Sequence, residues 1–106
     1  MSTEKRSAAR FPISQFVDFS YTREAFIKAV GINISVSGLL CELEGPVDPY
    51  SKIFILLDLN DKKDPVELEG IVVRTEKKGK KYLAGVEFSN LFDEDKERLK
   101  KFIKTL

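Results

Sequence analysis

The chain has 106 residues, 42% of them hydrophobic, which suits one packed domain and argues against wholesale disorder. Lys and Arg total 18 against 17 Asp and Glu, so net charge exerts no global pull towards a nucleic-acid polymer or a membrane, and an anion site must be a local cluster. Histidine is absent and Cys41 is the only cysteine, which removes Ser-His-Asp and Cys-His nucleophiles, the commonest metal ligand and any internal disulfide.

Residues 1–10 are polar, small and basic and read as a flexible arm ahead of a single domain over 11–106. A helical turn from Glu4 would put Arg6 and Arg10 on one face at i,i+4. Phe11-Pro12 then resets the chain to extended. The first strand is predicted over Ile13–Tyr21, with Val17, Phe19 and Tyr21 on one face. Thr22-Arg23-Glu24 reads as a turn. The second strand is predicted over Phe26–Ser35, with Phe26, Val30, Ile32 and Ile34 alternating and Lys28 as the exception. Gly31 inside it suggests a bulge or bend.

The third strand runs over Gly38–Glu44, and Gly45-Pro46 and Asp48-Pro49 mark a loop. The fourth runs over Lys52–Leu59, with Ile53, Ile55, Leu57 and Leu59 on one face. Asn60 to Pro65 is a polar hairpin connection. The fifth strand runs over Val66–Thr75, with Glu67 and Glu69 facing out. Lys77 to Lys81 is a turn, and Tyr82, Ala84, Val86 and Phe88 alternate on a sixth strand. At the C-terminus Leu99, Phe102, Ile103 and Leu106 form a helical stripe. A helix is expected over about 94–105, with Asp93 as N-cap and Lys100, Lys101 and Lys104 near its end. Six short strands and one terminal helix imply a mainly β fold, an antiparallel barrel or curled sheet.

No apolar run approaches the ~20 residues of a membrane span, and Met1 to Arg6 contain no apolar signal segment, so the expected setting is cytoplasmic with no membrane insertion. No nucleophile–base pair or metal cluster stands out, which makes an enzyme the least expected class. Lys77 to Lys81 lack interleaved aromatics and read as a solvated hairpin tip. Asp58, Asp61 and Asp64 lack EF-hand spacing and read as turn chemistry. Cys41 reads as a small core residue. The unusual stretch is Asn33-Ile34-Ser35-Val36-Ser37-Gly38. At strand spacing Asn33 and Ser35 share a face, beside a glycine that permits a conformation a Cβ would penalise. Asn and Ser also hydrogen-bond local backbone in turns, and one role does not exclude the other.

Two elements together, Arg6-Ser7-Ala8-Ala9-Arg10 and Asn33 to Gly38, match the pattern R-x-x-x-R followed by [D/N]-x-S-x-x-G. Gly70 to Arg74 matches G-x-V-V-R, and Tyr82 to Phe88 matches a strand of the form y-x-x-G-V-x-F. In this order, over nearly the whole chain, they resemble the PilZ domain, a bacterial receptor module for cyclic di-GMP. The resemblance implies a six-stranded antiparallel β-barrel with a C-terminal α-helix, and a ligand clamped between the arm and the barrel surface. It implies that Arg6 and Arg10 fork onto guanine edges or phosphate oxygens and stack on bases. Asn33 would accept from guanine through its carbonyl oxygen. Ser35 would donate to phosphate or accept from guanine, and Gly38 would supply room. Lys5, just before the first arginine, bears on whether one nucleotide or an intercalated pair binds. Arg74 reads first as an ion-pair partner of Glu69 or Glu76, and second as a residue that reaches the ligand. The function implied is a non-enzymatic receptor in motility or biofilm signalling, needing no cofactor beyond cyclic di-GMP and acting through a separate effector protein. The alternative is an adaptor of the same fold that works without nucleotide.

Overall fold

Alternating apolar residues drive the chain into strands whose inner faces share one core. A computed structural model of the chain describes residues 9–22 and 26–106; Lys5 and Arg6 lie outside them, as do Arg23 and Glu24 of the expected turn. The order is β1 (Phe11–Ser20), β2 (Ile27–Ile34), β3 (Gly38–Leu43), β4 (Lys52–Leu57), β5 (Val66–Lys78), β6 (Lys81–Ser89) and α1 (Asp93–Lys104). All six strands pair antiparallel in a closed barrel of order β1-β2-β3-β6-β5-β4. Closure is made by the last part of β1, where Asp18, Phe19 and Ser20 face Leu56, Ile55 and Phe54.

The core is filled from every strand, with Phe19, Ile34, Leu39, Ile53, Ile55, Leu68 and Val86 almost wholly buried. Cys41 lies among them; its Sγ donates weakly to the Ala84 carbonyl at 3.7 Å, and burial pushes its thiol up to about 12. One barrel end carries the starts of β1, β3 and β5 and the ends of β2, β4 and β6. Helix α1 leaves β6 at this end and buries Leu99, Phe102 and Ile103. Each such side chain contributes about 1.5–3 kcal/mol on full burial.

Several local expectations are revised. The inner face of β2 is Ala29, Gly31 and Ile34, not the run through Val30 and Ile32. A register irregularity between Gly31 and Asn33 shifts the phase by one residue. Tyr21 lies beyond β1 and is half exposed; its ring meets Phe19 edge-on at 6.4 Å and its hydroxyl accepts the Asp48 N–H. Strand β5 continues to Lys78, and only Gly79 and Lys80 form the turn, with Gly79 at φ 64°. Asp93 is not the N-cap. The Phe92 carbonyl accepts the first helical bond from the Lys96 N–H at 2.9 Å, so Asp93 falls in the first turn, where its charge meets the helix dipole.

Arg98 ties α1 to the β4–β5 connection. Its Nε and Nη2 donate to the two carboxylate oxygens of Asp61 at 2.9 and 3.0 Å, and Nη2 also reaches the Asp64 carbonyl at 2.9 Å. Asp58 and Asp61 each also accept a backbone N–H two residues on, which is turn chemistry.

The Arg98 guanidinium bonded to Asp61 holds its carboxyl below the usual range, with the Lys63 N–H assisting. A lowered folded-state value means the stabilisation is complete above the ordinary carboxylate value of about 3.9 and is lost as pH falls through the lowered value. The protection factors of the α1 amides, exchange rates corrected for their intrinsic pH dependence, should therefore fall on acidification in this window, and Asp61→Asn should flatten that dependence. An unchanged profile would contradict the tie. A Cβ added at Gly38 would collide with the Val86 carbonyl oxygen across the β3–β6 pair. Gly38→Ala should cost about 1–3 kcal/mol in urea unfolding, as overpacking does.

Candidate functional site

The Asn33–Gly38 stretch forms the turn from β2 to β3, and Ser35 organises it. Ser35 has no exposed surface. Its Oγ accepts the backbone N–H groups of Ser37 and Gly38, both at 3.1 Å, and shares a hydrogen bond with the Ser37 hydroxyl at 3.1 Å. The Ser35 N–H donates to the Gly38 carbonyl at 2.9 Å. The hydroxyl expected at the ligand surface thus points into the turn. Gly38 is required by the approach of β6, not by a left-handed backbone, since Gly79 is the one glycine with positive φ among the described residues.

Asn33 lies on the outer side of the irregular part of β2, opposite Pro12 of β1 and Leu40 of β3. This pairing brings the start of β1 alongside, and Arg10 precedes it directly. Arg10 Nη1 donates to Asn33 Oδ1 at 3.1 Å across 23 residues of sequence. Members of the two motifs therefore touch. Arg6 and Lys5 lie outside the described residues.

The row continues across the barrel. Leu40 faces Gly85 of β6, and Gly85 faces Arg74 of β5. A second irregularity, between Val72 and Arg74, leaves Val72 inside and both Val73 and Arg74 on the surface. These residues enclose a cavity of about 180 Å³ lined by Arg10, Asn33, Leu40, Val73, Arg74 and Gly85. Gly85 lacks the side chain that would fill its floor. No carboxylate lines the cavity among the described residues, and two guanidinium groups do. The expected pair between Arg74 and Glu69 or Glu76 is not formed among these residues. Glu69 Oε1 instead meets Lys52 Nζ at 3.6 Å and accepts Asn90 Nδ2–H at 2.9 Å.

Such a cavity suits a small anionic, partly aromatic group: guanidinium forks for oxygens, an amide for a polar edge, and apolar Leu40 and Val73 beside a flat floor. Leu40, Val73 and Gly85 were not readable as site residues. Their convergence depends on cross-strand register and on the β5 irregularity, and the nearest signal was a glycine inside the β6 pattern. Among the described residues no group of three or more His, Cys, Asp or Glu is placed to hold a metal ion. No described helix is long and apolar enough to cross a membrane.

Comparison with known proteins gives a family and a set of similar folds. A search of curated proteins finds no significant match. Among solved structures, the Bacillus subtilis inhibitor of motility (MotI/DgrA) superposes with a TM-score of 0.77 at 19% identity, over 94% of this chain and 50% of that one. YcgR from Escherichia coli, in complex with c-di-GMP, superposes at 0.75 and 10% identity, over 95% of this chain and 45% of that one. The PilZ domain of Escherichia coli YcgR with c-di-GMP gives 0.72 at 14% identity, over 96% and 91%. The chain thus spans half or less of the two longer proteins and nearly all of the isolated domain, and at these identities the likeness is one of fold. The model for the PilZ domain matches residues 4–105, nearly the whole length, and the chain belongs to that family.

Proposed function

We propose that this chain is a receptor for cyclic di-GMP that acts by presenting an altered surface to a partner protein. The PilZ family is one of non-catalytic receptor and adaptor modules, and similarity to YcgR solved with c-di-GMP supports the choice of ligand. The observation that carries the reading is the Arg10–Asn33 contact at the rim of a cavity that also holds Arg74.

Cyclic di-GMP carries two phosphodiester charges and two guanines. Arg10 and Arg74 supply forked donors for phosphate oxygens or for guanine O6 and N7. Asn33 Oδ1, now held by Arg10, is the acceptor that a guanine N–H would claim, which frees the arginine for the ligand. At about 180 Å³ the cavity is smaller than the ~300–1,000 Å³ usual for small-molecule sites. A dinucleotide must therefore extend beyond it, and we assign the remainder of the ligand to Lys5 and Arg6, which precede Arg10 in the sequence. Gly38 and Ser35 serve this site through the turn: they fix the β2–β3 backbone that holds Asn33.

Isothermal titration of cyclic di-GMP into the intact protein tests this. Saturable binding is expected, with Arg10→Ala weaker by about ten- to a hundredfold, the worth of one charged hydrogen bond. Arg74→Ala should weaken binding in the same direction. Equal affinity in all three proteins would contradict the arginine site, and no binding to the intact one would contradict the receptor reading and leave the nucleotide-independent adaptor.

A further inference from the structure

Glycine weakens a strand. It loses more backbone freedom on folding than any other residue and brings no side chain to pack. A glycine inside a strand therefore needs a reason, and three of the strand glycines have one in their neighbours. A Cβ at Gly31 would stand 2.8 Å from Ile13 Cδ1. One at Gly70 would stand 2.5 Å from Val86 Cγ1 and 2.9 Å from the Glu87 carbonyl oxygen, and one at Gly38 would strike the Val86 carbonyl oxygen.

Gly85, in the middle of β6, has no such reason. A Cβ there would meet Arg74 Cβ at 3.4 Å and the Arg74 carbonyl oxygen at 3.9 Å, both ordinary van der Waals contacts. Apart from its chain neighbours, nothing else among the described residues comes within 4 Å. Its backbone is not left-handed, since Gly79 alone among the glycines has positive φ. Alanine would fit the fold. What the missing side chain leaves open is the floor of the arginine cavity, between Leu40 of β3 and Arg74 of β5. The fold does not require bare backbone at this point, so the requirement comes from what occupies the cavity.

We infer that Gly85 is a ligand contact, with the flat face of one guanine resting on the bare β6 backbone between Leu40 and Val73. This rests on the receptor reading above and adds to it which part of the nucleotide meets the floor. A phosphate needs donors, and β6 is paired here on both sides, with Leu40 and with Arg74, so its backbone polar groups serve the sheet. A ring face needs a flat apolar surface, which Leu40, Val73 and a glycine provide. Arg10 and Arg74 line the same cavity and are left for the ring edge and the phosphate oxygens. A methyl group at position 85 would lift the ring from the floor and away from Leu40 and both guanidinium groups.

The test sets stability against binding in the full chain. Gly85→Ala should unfold in urea at a midpoint equal to or above that of the native chain, as alanine does where its side chain fits. Its affinity for cyclic di-GMP by isothermal titration should be about tenfold or more weaker. Gly45→Ala, where a Cβ meets nothing within 4 Å and which lies outside the cavity, is the control and should bind as the native chain does. In the saturated native complex the Gly85 Hα resonances should move upfield, the ring-current signature of a base stacked on them. Equal affinity in Gly85→Ala would overturn the inference and leave the receptor reading standing, whereas no binding to the native chain would overturn both. A lowered urea midpoint would make the glycine a requirement of the fold and overturn the inference, as would Gly85 Hα resonances that stay in place or move downfield.

Discussion

Six strands closed into a barrel leave each one with a fixed neighbour on both sides, and that constraint assembles the candidate site. Pro12, Asn33, Leu40, Gly85 and Arg74 are spread over more than half the chain. Register makes them successive cross-strand neighbours from β1 through β2, β3 and β6 to β5. Arg10 enters this row only because Phe11 pairs with Ile34, which sets the incoming chain beside Asn33. The irregularities in β2 and β5 re-aim the residues next to them, so Asn33 and Arg74 both reach the outer surface. The barrel interior, by contrast, is fully packed and has no ligand-sized space among the cavities described.

The β2–β3 turn links this surface to the helical end of the molecule. Ser35 holds the turn through its buried hydroxyl, and the Ser37 carbonyl accepts the Phe88 N–H at 2.9 Å. Phe88 is two residues from Asn90, whose side chain bonds Glu69, and four from Phe92. A ligand that displaces the Arg10–Asn33 bond acts on a backbone directly connected to the end of β6. Such a ligand works as a switch only to the extent that it binds one arrangement of this connection better than the other.

Much of the architecture could be read from residue order, because the alternating runs and the C-terminal stripe are long and strongly periodic. The six strands and the helix all occur close to their expected positions. The face of β2 could not be read, since one irregular residue inverts the phase of everything beyond it and Ile32 is as apolar as Ile34. The helix start was misplaced by one residue because Asp93 is a better cap by type than Phe92, and position in the turn prevailed over type. At the site, the two motifs named Arg10, Asn33, Ser35 and Gly38. They gave no sign that the Ser35 hydroxyl turns inward or that Gly38 is packed against β6, and Arg74, read first as an ion-pair partner, instead lines the same cavity as Arg10. Buried hydrogen bonds and strand register are properties of the closed sheet, and no local pattern encodes them.

The most direct measurement of the central claim is a two-dimensional NMR titration of cyclic di-GMP into the intact, isotope-labelled chain. Binding across the arginine-lined row predicts saturable shifts at Arg10, Asn33, Leu40, Arg74 and Gly85, with the far barrel end at Glu44 and Gly79 unmoved. Saturable shifts confined to other surfaces, or a spectrum that does not change, would contradict it.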